Sequence, residues 1–273
     1  MTTTETIPYN AIVIGSGQSG GPLSTALAKA GRKTAIIERV HVGGTCINEG
    51  CTPTKTMVAS ARVAYLARRG ADYGVHTGPI TVDMTRVRKR KRDIVESFRS
   101  GSERRIKETQ GVDLLMGEAR FIEPHTLEVR MNGGGVRHLT APTIFINVGC
   151  RPSEPKELEH ISTLDSTSIM ELGSVPEHLL VFGGGYIGLE FGQMFRRFGS
   201  DVTIIQRGAQ LLSREDDDVA EEVAKILRED GVEVLLKTTL LHAEQQEDGR
   251  VQMTVRTPEG ERVLTGSHVL SAA

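Results

Sequence analysis

Two cysteines five residues apart, Cys46 and Cys51, lie in the stretch GGTCINEGCTPTK at residues 43–55. A Gly-Gly pair precedes them and a proline and Lys55 follow. Thiols at this spacing can hold a metal, staple a loop or form a redox pair. The thiolate is the reactive form, and a helix N-terminus together with Lys55 would favour it. A zinc site built from His41, Cys46 and Cys51 lacks a fourth ligand at suitable spacing. Cys150 reads as an inert small residue. Three cysteines in a chain whose start, MTTTETIPYN, lacks the basic and apolar regions of an export signal argue against a disulfide framework. The pair is therefore expected to be catalytic or metal-binding.

The elements that would carry such a pair come from a soluble α/β pattern. Of 273 residues, 38% are hydrophobic and 25% charged, ordinary values for a globular protein. A net charge of −2 exerts no general pull on nucleic acid or anionic membrane. No apolar run approaches the roughly 20 residues needed to span a bilayer. We expect a cytoplasmic protein with neither a membrane nor a nucleic-acid partner. The basic run RVRKRKRD at 86–93 has no interleaved aromatics and reads as the solvated face of an amphipathic helix.

The chain repeats itself. AIVIGSGQSG at 11–20 continues through ALAKAGRKTAIIER, and LLVFGGGYIG at 179–188 continues through MFRRFGSDVTIIQR. Each is an apolar run, a GxGxxG, an amphipathic stretch ending at glycine and a second apolar run. The offset is 168 throughout, pairing Gly15 with Gly183, Gly31 with Gly199 and Glu38 with Gln206. One GxGxxG is weak evidence; two, each inside a βαβ-length unit, are strong. In such a unit Gly15 makes the tight turn, Gly17 lets the backbone approach a pyrophosphate and Gly20 lets helix and strand pack closely. The helix N-terminus adds free N–H groups and a positive dipole end. Glu38 closes the second strand, where a carboxylate accepts hydrogen bonds from ribose hydroxyls. In the second copy Gln206 replaces the acid, Arg207 follows, and Arg214 lies seven residues on. Loss of the acid removes repulsion of a 2′-phosphate, which arginines hold bidentately. The first site suits a dinucleotide with a free ribose; the second favours NADPH over NADH.

A second repeat follows each unit. TAPTIFINVGCRP at 140–152 resembles TGSHVLSAA at 265–273, and each follows strand-like alternation with turn signals. At this offset of 125, Gly149 would match position 274, so the sequence suggests a unit cut one residue before its closing glycine.

A cysteine pair between two dinucleotide sites suggests electron flow from nicotinamide to flavin to disulfide. Residues 43–55 resemble the GGTCxNxGCxPxK active site of the flavoprotein disulfide reductases, class I of the pyridine nucleotide-disulfide oxidoreductases. Glutathione reductase, dihydrolipoamide dehydrogenase and mercuric reductase belong to this family. GSGQSG with Glu38, GGGYIGLE at 183–190 and INVGCRP match its other motifs in order and spacing, over nearly the whole chain. The resemblance implies a redox disulfide, Cys46–Cys51. Cys51 would face the flavin as the charge-transfer thiolate, and Cys46 would attack the substrate. Lys55, paired with Glu190, would sit near the flavin N5. Gly44, Thr45, Ala119 and Gly149 would join Gly15, Gly17, Gly20 and Glu38 around FAD. Gly183, Gly185, Tyr186, Ile187, Gly188 and Glu190 would bind NADPH with Arg207 and Arg214, Tyr186 covering the nicotinamide pocket.

The family's Gly-Asp strand motif and C-terminal interface domain are not found, and His268 is no substitute for the acid that a partner subunit would supply. The expected fold is α/β: two Rossmann-like, three-layer ββα dinucleotide-binding domains, each with a β-meander. Residues 1–151 would bind FAD and 152–273 NAD(P)H, both incompletely, with the interface domain absent. The expected function is FAD-dependent, NADPH-driven reduction of a disulfide or of a thiol-bound metal ion such as Hg(II), in a homodimer. The alternative is a non-catalytic dinucleotide-binding fragment.

Overall fold

Both glycine turns follow short apolar strands buried at the centre of parallel sheets. The computed structural model describes residues 5–153 and 155–273. In the first repeat the order is β1 (Thr6–Pro8), β2 (Ala11–Ile14), α1 (Gly20–Lys29), β3 (Thr34–Glu38), α2 (Gly44–Asn48), α3 (Cys51–Arg68) and α4 (Met84–Glu108). Then come β4 (Val112–Glu123), β5 (Thr126–Met131), β6 (Val136–Thr140) and β7 (Ile144–Ile146). The strands form one ladder, β1-β6-β5-β4-β3-β2-β7.

Alternate residues of a strand point to opposite faces, and here both faces are covered, so β2 and β3 read as unbroken apolar runs. Val13 and Ile36 pack under α1 with Ile106 of α4. Ile12, Ala35 and Ile37 face Leu127, Val129 and Leu139 of β5 and β6. The 12-residue β4 serves both layers. Its first half pairs parallel with β3 and its second half antiparallel with β5. The result is the expected three-layer meander–sheet–helix stack.

The second repeat builds the same stack from β8 (His178–Phe182), α5 (Tyr186–Phe198), β9 (Asp201–Ile205), α6 (Asp217–Glu229) and β10 (Glu233–Leu235). The meander is β11 (Thr239–Gln245), β12 (Val251–Thr257) and β13 (Gly260–Gly266), and β14 (His268–Ser271) returns to the parallel sheet β10-β9-β8-β14. Here the strand equivalent to β4 is broken between β10 and β11, so the meander is a separate three-stranded sheet. Leu180, Ile205 and Val269 face Val251, Met253 and Val255 across the layer.

The compact units are not consecutive halves of the chain. One comprises residues up to Pro53 with Arg92–Arg151, the other Thr54–Lys91 with Pro152–Ala273. A division at 151/152 puts 54–91 in the first domain; the structure puts this segment in the second unit. The reason is apolar burial: Met57, Ala61 and Met84 lie in one core with Leu179, Phe191 and Phe195.

The basic run on α4 also differs from the solvated face expected of it. Arg88 Nη1 donates to the Glu171 carbonyl (2.7 Å) and Arg90 Nη1 to the Thr56 carbonyl (2.9 Å). The Lys91 side chain is 4% exposed; its Nζ donates to the Met170 carbonyl (2.9 Å) and pairs with Glu171. Arg88 and Lys91 satisfy carbonyls at the end of the short helical turn Ser168–Glu171, and Arg90 one within α3, which charge patterning alone does not reveal. Among the described residues no helix is long and apolar enough to cross a membrane.

Lys91→Met keeps the aliphatic stem but strips the Met170 carbonyl of its buried donor. It should cost about 1–3 kcal/mol of stability, read as a lower urea midpoint. An unchanged midpoint would return Lys91 to the solvated face.

Candidate active site

The first glycine turn and the cysteine loop are joined by Ser16, which is 2% exposed. Its hydroxyl donates to Glu38 Oε2 (2.5 Å) and accepts from the Gly43 N–H (3.2 Å). Its own N–H also donates to Glu38 (3.1 Å), and Val40 N–H holds the other carboxylate oxygen (2.9 Å). Glu38, at the end of β3, is thus fixed at the edge of the turn. Gly44 sits against Gly17; a Cβ on Gly44 would lie 2.6 Å from the Gly17 Cα.

The loop between the cysteines is closed by Asn48. Its Nδ2 donates to the carbonyls of Val42 (3.1 Å) and Gly44 (2.9 Å), and its Oδ1 accepts from Arg99 Nε (2.7 Å). Gly50 passes close over Thr45 and Cys46, with its Cβ position 3.0 Å from the Thr45 carbonyl oxygen. That close approach returns Cys51, the first residue of α3, to Cys46. Both thiols are free, Cys46 half-buried and Cys51 exposed. The Cys46 thiol is pushed up, first by its hydrogen bond to the Cys51 side chain and then by burial. The Cys51 backbone N–H at the start of α3 pulls the other way. Helix-terminal stabilisation of the Cys46 thiolate is therefore present but outweighed, contrary to the lowering expected from the sequence.

The second glycine turn repeats the backbone bonds of the first. Gly15 N–H donates to the Ile37 carbonyl (2.8 Å), and Gly183 N–H to that of Ile205 (3.0 Å). Ser16 N–H finds Glu38; Gly184 N–H finds Gln206 Oε1 (3.0 Å). Gln206 thus keeps the structural bond of the acid without its charge. Arg207 and Arg214 are exposed and, among the described residues, make no side-chain bond. Lys55 pairs with Glu190 of α5. Tyr186 is 65% exposed and its hydroxyl donates to Glu215, which pushes its pKa up. With Leu189, Glu190 and Leu212 it lines a cleft of about 440 Å³.

The glycines test whether dinucleotides fit. Gly15 takes φ 99° beneath the Asn147 carbonyl, and Gly183 takes φ 116° beneath that of Ala272. A Cβ on Gly20 or Gly188 would collide with the carbonyl of Gly15 or Gly183. The protein's own packing thus demands these four glycines. It does not demand the middle ones: a Cβ on Gly17 would meet nothing nearer than 3.7 Å, and one on Gly185 nothing within 4 Å. Open space in front of a bare backbone, at a helix start with no side-chain cap, is what a pyrophosphate needs.

The remaining predicted residues are more scattered. Thr45 is exposed on α2, and Ala119 lies on β4 opposite Val129. Gly149, with φ 69°, is exposed beyond β7, and Ile187 is 47% exposed. Ser16, Asn48 and Arg99 were not singled out by the sequence. Ser16 and Asn48 lie inside the motifs, but nothing local marks Arg99, 51 residues from its partner.

Comparison with known proteins agrees with this geometry. A family model described as pyridine nucleotide-disulphide oxidoreductase matches residues 9–272. A mercuric reductase of Bacillus cereus is 36% identical over 242 residues, covering 88% of this chain and 38% of the relative. A probable pyridine nucleotide-disulfide oxidoreductase of Escherichia coli, RclA, is 38% identical over 233 residues, covering 84% and 49%. The solved Cu(II) complex of the HOCl-induced flavoprotein disulfide reductase RclA aligns with TM-score 0.80 at 34% identity, covering 97% of this chain and 56% of that one. The chain spans about half the length of the relatives it matches.

The raised Cys46 thiol should show in alkylation of the reduced protein, followed at Cys46 by peptide mass spectrometry. A raised pKa leaves less thiolate at a given pH, so Cys51→Ala should shift the Cys46 reactivity profile to lower pH. A profile that stays or moves up would show that the Cys51 thiol is not the cause.

Proposed function

The chain belongs to the pyridine nucleotide-disulphide oxidoreductase family, and on that premise we propose that it carries the Cys46–Cys51 centre of an FAD-dependent, NADPH-driven reductase of disulfides or thiol-bound metal ions. The observation that carries this reading is a pair of free cysteines brought back toward each other by the close pass of Gly50, on a loop that Ser16 ties to a glycine turn.

FAD fits the first turn, with Gly15, Gly17 and Gly20 at the pyrophosphate, Glu38 at the ribose, and Gly44, Thr45, Ala119 and Gly149 as further contacts. NADPH fits the second, with Gly183, Gly185, Ile187 and Gly188 at the phosphates and Tyr186 beside them. Arg207 and Arg214 supply free guanidinium groups for a 2′-phosphate, and Gln206 offers no opposing charge. In domain terms, residues up to 151, apart from segment 54–91 that packs in the second unit, would form the FAD part, and 152–273 the NADPH part. Held there, NADPH would supply a hydride and FAD would relay its electron pair, the reducing equivalents that a Cys46–Cys51 disulfide needs.

The chain's own residues then act by thiol exchange. The Cys46 thiolate attacks one sulfur of the substrate disulfide, breaking the S–S bond and releasing the first thiolate. Cys51 attacks the Cys46 sulfur of the mixed disulfide, releasing the second thiolate and closing Cys46–Cys51. Each leaving thiolate takes a proton from solvent. Lys55, one turn after Cys51 in α3, presents a cation oriented by Glu190. A soft metal ion held by both thiols is an equally natural substrate for the pair. Two exchange-competent thiols suit the reducing cytoplasm, and the family resemblance carries the expectation of a homodimer.

The purified protein should show flavin absorbance and oxidise NADPH when given oxidised glutathione, lipoamide or Hg(II) as its thiolate complex. Cys46→Ser and Cys51→Ser should each lower turnover at least about 100-fold. Arg207→Glu should cut kcat/KM for NADPH about tenfold by replacing a phosphate contact with repulsion. A protein that gains no flavin absorbance on reconstitution sinks the FAD assignment, and a higher kcat/KM with NADH sinks the NADPH assignment.

A further inference from the structure

Segment 206–215, which follows β9 and carries both free arginines, is held more firmly than an exposed loop requires. Among the described residues, two non-glycine residues have positive φ, Leu212 (48°) and Lys237 (49°). Both clamp this segment. Leu212, its side chain buried in the core, donates its N–H to the Gly184 carbonyl of the glycine turn (2.9 Å). Lys237 donates its N–H to the Gly208 carbonyl (2.9 Å), and Thr238 donates to the Gln206 carbonyl (3.0 Å). Left-handed backbone at a non-glycine residue is strained and persists where surrounding contacts over-determine it.

Side chains complete the clamp. Gln206 Nε2 donates to the Gln210 carbonyl (3.1 Å), and Gln210 Nε2 donates to the Glu215 carbonyl (3.0 Å). The Glu215 carboxylate accepts the Tyr186 hydroxyl. A continuous run of bonds therefore leads from the Gly184 N–H through Gln206, Gln210 and Glu215 to the first residue of α5. Arg207 and Arg214 lie at the two ends of the clamped stretch, exposed and unbonded among the described residues. Rigid backbone beneath two free guanidiniums lowers the ordering cost of holding an anion between them.

We propose that Gln210, Leu212 and Glu215 are positioning residues: their bonds hold residues 206–215 in one shape and thereby set how Arg207 and Arg214 meet a phosphorylated ribose. This rests on the reading of the second turn as the nucleotide site and adds to it the residues that set its preference. Removing the Gln210 side chain leaves both arginines in place and Leu212 anchored, but loosens residues 213–215, which carry Arg214. Selectivity, rather than nucleotide binding as a whole, should fall.

The test uses FAD-replete protein and calorimetric titration with 2′,5′-ADP and ADP. The wild type should bind 2′,5′-ADP at least about tenfold more tightly than ADP, from one or two charge-assisted contacts. Gln210→Ala should weaken 2′,5′-ADP about fivefold, the effect of one lost hydrogen bond, and ADP less than about twofold. Tyr186→Phe, which releases the other anchor, should show the same pattern more weakly. Gln210→Ala added to Arg214→Gln should weaken 2′,5′-ADP no further than Arg214→Gln alone. Equal losses for both probes, or additive losses in the double variant, overturn the proposal. A wild type without 2′-phosphate preference defeats the NADPH reading and this inference with it. A preference that survives Gln210→Ala defeats the inference alone.

Discussion

The buried hydroxyl of Ser16 fixes three parts of the first site relative to one another. It donates to Glu38 and accepts from Gly43. The glycine turn, the Glu38 carboxylate and the lead-in to the cysteine helix thus share one atom. Leaving a buried polar partner unsatisfied costs about 1–3 kcal/mol, more than the net gain of a typical hydrogen bond. This asymmetry makes the arrangement all-or-none. Either Glu38, Ser16 and Gly43 are in register, or at least one buried polar group is stranded. Gly44 can then lie flat on Gly17, and the thiols stand at a defined place relative to the dinucleotide turn.

The second copy shows which parts of this device are scaffold and which are chemistry. At offset 168, Gly184 replaces Ser16 and Gln206 replaces Glu38, yet the backbone bond from turn to strand end survives. The amide oxygen accepts the same N–H that the carboxylate accepts in the first copy. What changes is charge: the carboxylate of the first copy is a neutral amide in the second. The missing hydroxyl also removes the link to a following loop, and the second copy has no counterpart of the cysteine helix there. One fold unit thus carries a cysteine loop in one copy and a pair of exposed arginines in the other.

Ion pairs divide by burial. Arg197 donates through Nε and Nη2 to Asp230, whose side chain is 6% exposed, and its guanidinium lies over the Tyr65 ring. Removing one member of such a pair strands a buried charge, which costs about 3–5 kcal/mol. Lys55 and Glu190 are 65% and 31% exposed. An exposed pair of this kind adds about 0–1 kcal/mol to stability. Stability therefore accounts for Arg197–Asp230 and gives little reason for Lys55–Glu190.

The sequence by itself determined the two βαβ units, their meanders and the turn glycines, because each is written locally. Apolar runs, fixed glycine spacing and turn residues carry the pattern within about 30 residues. It also carried the cysteine loop and the change from Glu38 to Gln206, since a motif names its own positions. Tertiary structure decided what depends on residues far apart in the chain. Burial of Met57, Ala61 and Met84 with Phe195 assigned Thr54–Lys91 to the second unit, which no local pattern encodes. The basic run on α4 became a set of carbonyl-binding cations because Glu171, Met170 and Thr56 fold back onto it. The Cys46 thiol was pushed up rather than down because its nearest partner is the other thiol. Hydrogen bonding and desolvation act at a few ångströms in space, and separation along the chain is blind to that distance.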